Sequence, residues 1–203
     1  HSLVSRLQWK SMVLLRGASE LSYLWKLINF QLTTSPPAVS RALEELKWWI
    51  GTLERWERED VTPNRPLLGA SHLQDHAEAV TVMACDASGA AREGAGGLYG
   101  PMLEGVRGWY AFTWESLGIM EDAQSSALAE LLGVEQVLRH MTKTPAPLGR
   151  AHRVLVCALD ASAACYSINK GRVRGKAPPE LHAVVKRILE LLQEAHMVAL
   201  ALW

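Results

Sequence analysis

Excess charge of either sign is missing. The 203-residue chain carries 21 Lys and Arg against 21 Asp and Glu, a formal net charge of zero. No global basic field advertises a polyanionic partner, so any contact with nucleic acid has to rest on a local patch. Cysteine is scarce: Cys85, Cys157 and Cys165 show no C-x-x-C spacing, and two of them sit in strand-like runs. An odd set placed this way reads as buried free thiols in an intracellular, reducing compartment, with nucleus, cytoplasm and organelle all left open. No apolar run approaches the roughly 20 residues that span a bilayer, and no signal peptide is visible. Clean ends are lacking as well. The chain starts at His1 inside a helical pattern and stops at Trp203 on the strand-like run "VALALW", which reads as a piece of a longer ancestral chain, truncated at both ends.

What is present fits one domain of ordinary size, or one domain with an appendage. The first 60 residues are helical in pattern. "HSLVSRLQWKSMVLL" leads to Gly17, a glycine of the C-cap type, and "ASELSYLWKLINFQL" follows. A third helix opens on Pro36 and Pro37, which suit a first turn. Its Leu43, Leu46, Ile50 and Leu53 alternate three and four apart and predict the buried face, with Trp48, Trp49 and Trp56 as core aromatics. Residues 61–77 carry proline, glycine and polar residues without a period and read as a linker. His72 and His76 lie four apart there, but without a helical pattern or a third ligand they are not read as a metal site.

Residues 78–203 alternate in type. A strand over Ala79–Cys85, a glycine-rich piece and the run "GWYAFTWES" come first. A helix over about 122–141, a strand over Arg153–Leu159, a short helix over Ala163–Lys170, a long helix from "ELHAVVKRILELLQEAHM" and a last strand follow. Three strands, then strands separated by helices, describe an α/β domain with a mixed sheet preceded by an all-α segment. The piece "REGAGGLYG" lacks the Gly-Lys-Ser/Thr ending and following helix of a phosphate loop, which argues against a nucleotide-binding domain.

Two runs echo each other. "VTVMACDAS" and "VLVCALDAS" share six of nine residues, and each ends a β-branched stretch on an aspartate, Asp86 or Asp160. Either acid alone would serve as a turn or cap residue. On neighbouring parallel strands they reach one edge of the sheet, where ligands collect in α/β folds. Glu130 adds a third acid. At 100° per residue it lies within about 60° of Ala127, Val134, Val137 and Met141, on the helix face that should meet the sheet. A carboxylate there is costly unless something answers its charge. Glu135 falls well off that arc and reads as solvated. Three acids of this kind suit a hard divalent cation, Mg²⁺ or Mn²⁺. Two such ions about 4 Å apart would support in-line hydrolysis of a phosphodiester.

The order Asp, Glu, Asp on first strand, first helix and fourth strand resembles the ribonuclease H domain of reverse transcriptases. The matching pieces are "MACDASGAAREGAGGLYG", "SSALAELLGVEQVL" and "VLVCALDASAACYSINKG". Upstream, residues 1–60 resemble the thumb and connection helices of retroelement polymerases, with a tryptophan-rich helix most like elements of the DIRS type. The resemblance implies a ribonuclease H-like, mixed five-stranded sheet flanked by helices. It also implies metal-dependent hydrolysis of the RNA strand of RNA–DNA hybrids, with Asp86, Glu130 and Asp160 as catalytic metal ligands. No polymerase palm is present, so reverse transcription is excluded. Ser88, Gly94, Gly96 and Gly97 match the hairpin where backbone lies near the RNA, and Lys170, Arg172, Arg174 and Lys176 form either a segment that would hold a nucleic-acid backbone by charge or a solvated loop. An alternative stays open: a domesticated, inactive fold serving as an interaction subunit for other proteins in a larger assembly. The family's Asn after its second strand-end Asp is Ala161 here, and its fourth acid follows the last strand, beyond where this sequence stops; Glu190 and Glu194 lie earlier, on the long helix, and do not match it.

Overall fold

Hydrophobic alternation and helical caps set the elements. A computed structural model describes residues 2–11, 16–28, 36–59, 77–88, 93–118, 125–143, 154–173 and 177–203. The chain divides into two units, His1–Pro66 and Leu67–Trp203. The histidines His72 and His76, and residues 61–76 of the expected linker, lie outside the described residues.

The first unit holds α1 (Ser2–Ser11), a 3-10 turn (Ser19–Leu21), α2 (Ser22–Ile28) and α3 (Pro36–Glu59). Gly17 sits in a turn but not in the left-handed conformation expected of a capping glycine. The face of α3 that packs differs from the one the leucine spacing predicts. Leu43 and Ile50 are half-exposed, whereas Ala42, Glu45 and Trp49 are buried, with Leu46, Trp48 and Leu53 packed around them. Two polar contacts turn the helix this way. Glu45 accepts the backbone N–H groups of Tyr23 and Leu24 at 2.8–3.0 Å, capping α2 from outside. The Trp49 indole donates to the Glu20 carbonyl at 2.8 Å. The side chain of Trp56 lies outside the description.

The second unit is a five-stranded mixed sheet in the order β3-β2-β1-β4-β5, the ribonuclease H-like arrangement that the resemblance implies. Its strands are β1 (Val80–Ala87), β2 (Gly94–Pro101), β3 (Gly108–Thr113), β4 (Val154–Ala158) and β5 (Val198–Leu202). The first three pair antiparallel, which a short hairpin allows. β4 joins β1, and β5 joins β4, in parallel, each after a helical crossover. The glycine-rich piece forms strand β2, one of the three strands that the pattern predicts first.

Three helices complete the unit: α4 (Ser126–Lys143), α5 (Ser162–Lys170) and α6 (Pro179–Glu194). Ser125 Oγ accepts the Leu128 N–H at 3.2 Å and so caps α4. Gly171, at φ 62°, ends α5 in a left-handed turn. Pro179 starts α6. Leu131, Val134 and Leu138 of α4, Val185, Ile188 and Leu192 of α6, and Met83 and Leu155 of the sheet are buried. Each such side chain contributes about 1.5–3 kcal/mol of transfer free energy.

The helix α4 lies close against the strands because glycines allow it. A Cβ on Gly133 would stand 2.9 Å from the Cys85 sulfur and 3.1 Å from the Ala95 Cβ. One on Gly97 would stand 2.9 Å from Val137 of the same helix. All three distances are below ordinary van der Waals contact, so the glycines set how near Glu130 comes to the strand ends.

Glu135 is the main departure from the expected surface. It is 2 % exposed and bound by two arginines, Arg139 on its own helix and Arg187 on α6, at 2.8–3.0 Å. Burial alone would raise its carboxyl, but the hydrogen bonds and charges of Arg187 and Arg139 hold it below the ordinary value. The arc that made it look solvated takes account of the sheet only. The second buried surface of α4 faces α6.

Candidate metal centre

Register brings the two aspartates together. Ala84 of β1 pairs with Ala158 of β4, so two residues further on Asp86 and Asp160 stand side by side at the carboxyl ends of parallel strands. Asp86 is still within β1 and paired with Gly96, while Asp160 lies just past β4, before α5. Glu130 approaches from the second turn of α4. One carboxylate oxygen from each of the three acids lies within 4.8 Å of the others. The structure thus gathers the three acids that the sequence singles out, and among the described residues no fourth acid joins them.

Their electrostatics are those of a site built for positive charge. Glu130 is 1 % exposed, and its Oε2 has no hydrogen-bond partner among the described residues. Burial, then the hydrogen bond and charge of Asp160 and the charge of Asp86, push its carboxyl up to about 8, with the Ala87 backbone pulling the other way. A buried, orphaned oxygen between two more carboxylates is unfavourable by itself and favourable around a divalent cation. The donor set, all carboxylate oxygen, fits Mg²⁺ or Mn²⁺ rather than a soft metal. The neighbouring thiols do not compete. Burial, then Glu130 and Asp86, push Cys85 up to about 12, and burial raises Cys157 and Cys165, so all three stay protonated. All three cysteines are free and buried.

The remaining candidates lie in different places. Ser88 follows β1, where its N–H donates to the Gly94 carbonyl at 2.9 Å and its carbonyl accepts the Trp114 indole at 2.8 Å. Gly94 and Gly96 have a packing reason to be glycine. A Cβ on Gly94 would collide with the Phe112 carbonyl, and one on Gly96 would stand 3.1 Å from the Tyr110 carbonyl. Lys170 and Arg172 are exposed at the far end of α5, about 13 Å of helix from Asp160. Arg174 and Lys176 lie outside the described residues. Glu190 and Glu194 are on α6, away from the cluster.

One residue at the site, and one that holds the strand leading to it, have no signal in the sequence pattern. The Trp203 indole donates to the Asp160 carbonyl at 2.8 Å, and the Asn169 side chain pairs with the Ala201 backbone, both bonds at 2.8 Å. These contacts span more than 30 residues of sequence, and no local pattern encodes them.

No protein-family model matches the sequence, and no curated protein matches it. Solved structures do. The N-terminal RNase H domain of Rv2228c from Mycobacterium tuberculosis, solved as a fusion with maltose-binding protein, is 15 % identical. It aligns over 61 % of this chain and 86 % of its own with a TM-score of 0.44. RNase H1 of the halophilic archaeon Halobacterium salinarum is 13 % identical over 60 % of this chain and 82 % of its own, with a TM-score of 0.44. The foamy viral protease-reverse transcriptase, solved in complex with an RNA/DNA hybrid, is 14 % identical over 70 % of this chain and 19 % of its own, with a TM-score of 0.43. At these identities, and with TM-scores below 0.5, the likeness says nothing of this chain's activity, substrate or metal.

Proposed function

We propose that this chain is a ribonuclease H-type endoribonuclease that hydrolyses the RNA strand of RNA–DNA hybrids with divalent metal. One observation carries the reading: Asp86, Glu130 and Asp160 converge within 4.8 Å at the carboxyl edge of two parallel strands, with a buried Glu130 oxygen left unpartnered. These three side chains would hold the metal. Bound there, divalent cations supply an activated water and stabilise the leaving oxygen of a phosphodiester.

The protein's own contribution is placement. Strand register fixes the aspartates side by side, and the close seat of α4 fixes Glu130 behind them. The exposed Lys170 and Arg172, with Arg174 and Lys176 beyond them, would hold the nucleic-acid backbone without reading its sequence. The origin that fits best is a retroelement polymerase of the DIRS type. Residues 1–60 then derive from its thumb and connection helices, joined through a linker over 61–77 to the ribonuclease H-like domain.

The test is incubation of the full chain with a hybrid labelled on its RNA strand, in Mg²⁺ or Mn²⁺. RNA cleavage is expected. Asp86→Asn should reduce it by more than the roughly 10–100-fold that loss of an outer-shell metal partner costs. No cleavage together with no Mn²⁺ binding would overturn the reading and leave a domesticated interaction subunit as the better account.

A further inference from the structure

The three acids are not equally anchored. Glu130 rides on an 18-residue helix, and Asp86 lies within a strand paired on the β2 side. Asp160 belongs to neither a strand nor a helix. Its orientation has to come from elsewhere, and the hydrogen bonds show from where. The pairing of β4 with β5 runs on past the end of β4, where the Leu159 N–H donates to the Leu202 carbonyl at 2.9 Å. Trp203 then turns its indole N–H back onto the Asp160 carbonyl at 2.8 Å. On the other side of the peptide, the Ala161 carbonyl accepts the Ala164 and Cys165 N–H groups that open α5.

The strand that delivers Trp203 is itself held. Leu202 directs its carbonyl towards β4, so the N–H and carbonyl of Ala201 face away from it. Asn169 on α5 meets both: its Nδ2 donates to the Ala201 carbonyl, and its Oδ1 accepts the Ala201 N–H, each at 2.8 Å. Trp203 is 86 % exposed, so core burial does not explain where its ring stands.

We infer that Trp203, aligned by the Asn169–Ala201 pair, is a positioning residue for Asp160 that tunes the affinity of the carboxylate cluster for a divalent cation. The inference rests on the metal-dependent reading above and goes beyond it, to residues outside the carboxylate cluster. Trp203→Phe keeps a ring and removes only the donor, and at so exposed a position it should leave the unfolding midpoint where it was.

The experiment is a calorimetric Mn²⁺ titration of the full chain and of Trp203→Phe, with hybrid cleavage measured across Mn²⁺ concentrations. The variant should bind Mn²⁺ roughly five-fold more weakly, the factor that one hydrogen bond is worth. Its kcat should fall at limiting Mn²⁺ and recover at saturating Mn²⁺, with KM for the hybrid unchanged. Asn169→Asp, which loses the donor to Ala201, should move affinity in the same direction. Equal Mn²⁺ affinity in Trp203→Phe and the parent protein overturns the inference. So does a loss of thermal stability with no change in affinity. A parent protein that binds no Mn²⁺ overturns the functional reading and this inference with it, whereas binding by the parent that Trp203→Phe leaves unchanged removes the inference alone.

Discussion

At the residue scale, Glu130 pits folding against function. With its carboxyl pushed up to about 8, Glu130 has to take up a proton for the chain to fold near neutral pH, which weakens the fold for as long as no cation answers it. Glu130→Gln removes the acid and keeps the shape. At neutral pH the metal-free variant should unfold above the parent protein, by about 1–3 kcal/mol in chemical denaturation. Mn²⁺ should raise the parent's melting temperature and leave the variant's in place, as ligand linkage requires. A variant less stable than the parent would show that the carboxylate serves packing, not metal. This residue was legible in the sequence because a helix face is a periodic object, and an acid among Ala127, Val134 and Met141 breaks the period visibly. Glu135 was misread for a related reason. Periodicity locates a face but does not count how many partners the helix has, and its arginine on α6 is 52 residues away.

At the scale of elements, the contact between α4 and α6 depends on the charge of Glu135. Its carboxyl is held below the ordinary value of 4.5 in the folded chain and returns to it on unfolding. The stabilisation is therefore complete above pH about 4.5 and is lost as pH falls through the folded value. Urea midpoints measured downward from neutral pH should drop in this acid range, and Glu135→Gln should flatten that part of the profile. Glu135→Ala, which leaves two arginines without their anion, should cost about 3 kcal/mol at pH 7. A flat parent profile would mean that the arginines find other partners. The helices of the first unit show why element faces are harder to read than elements. Pro36 and Pro37 mark the start of α3 correctly, yet Leu43 and Ile50 are half-exposed because Glu45 and Trp49 make the specific contacts. A hydrophobic count gives no weight to a buried acid that caps another helix.

At the scale of the whole molecule, charge balance sets how the chain meets a polyanion. With 21 positive and 21 negative side chains there is no long-range attraction, so hybrid binding rests on local contacts. Lys170→Glu and Arg172→Glu should each weaken hybrid affinity to a similar extent whatever the sequence, and each should lower the slope of log affinity against log salt by about one. Filter binding across a salt series measures both. An unchanged slope would assign the basic segment to solvent. The class of fold was legible at this scale because strands and helices alternate with different periods. The order β3-β2-β1-β4-β5 came only with the resemblance to ribonuclease H, since which strands pair is not written in their periods.

The side-chain amide of Asn169 has a consequence outside the single molecule. A sheet's last strand is an open template, and a stray segment from another copy extends it most easily where backbone donors and acceptors face outward. At Ala201 both are already taken. The contact that aligns one end of β5 also makes that end a poor seed for sheet growth from chain to chain.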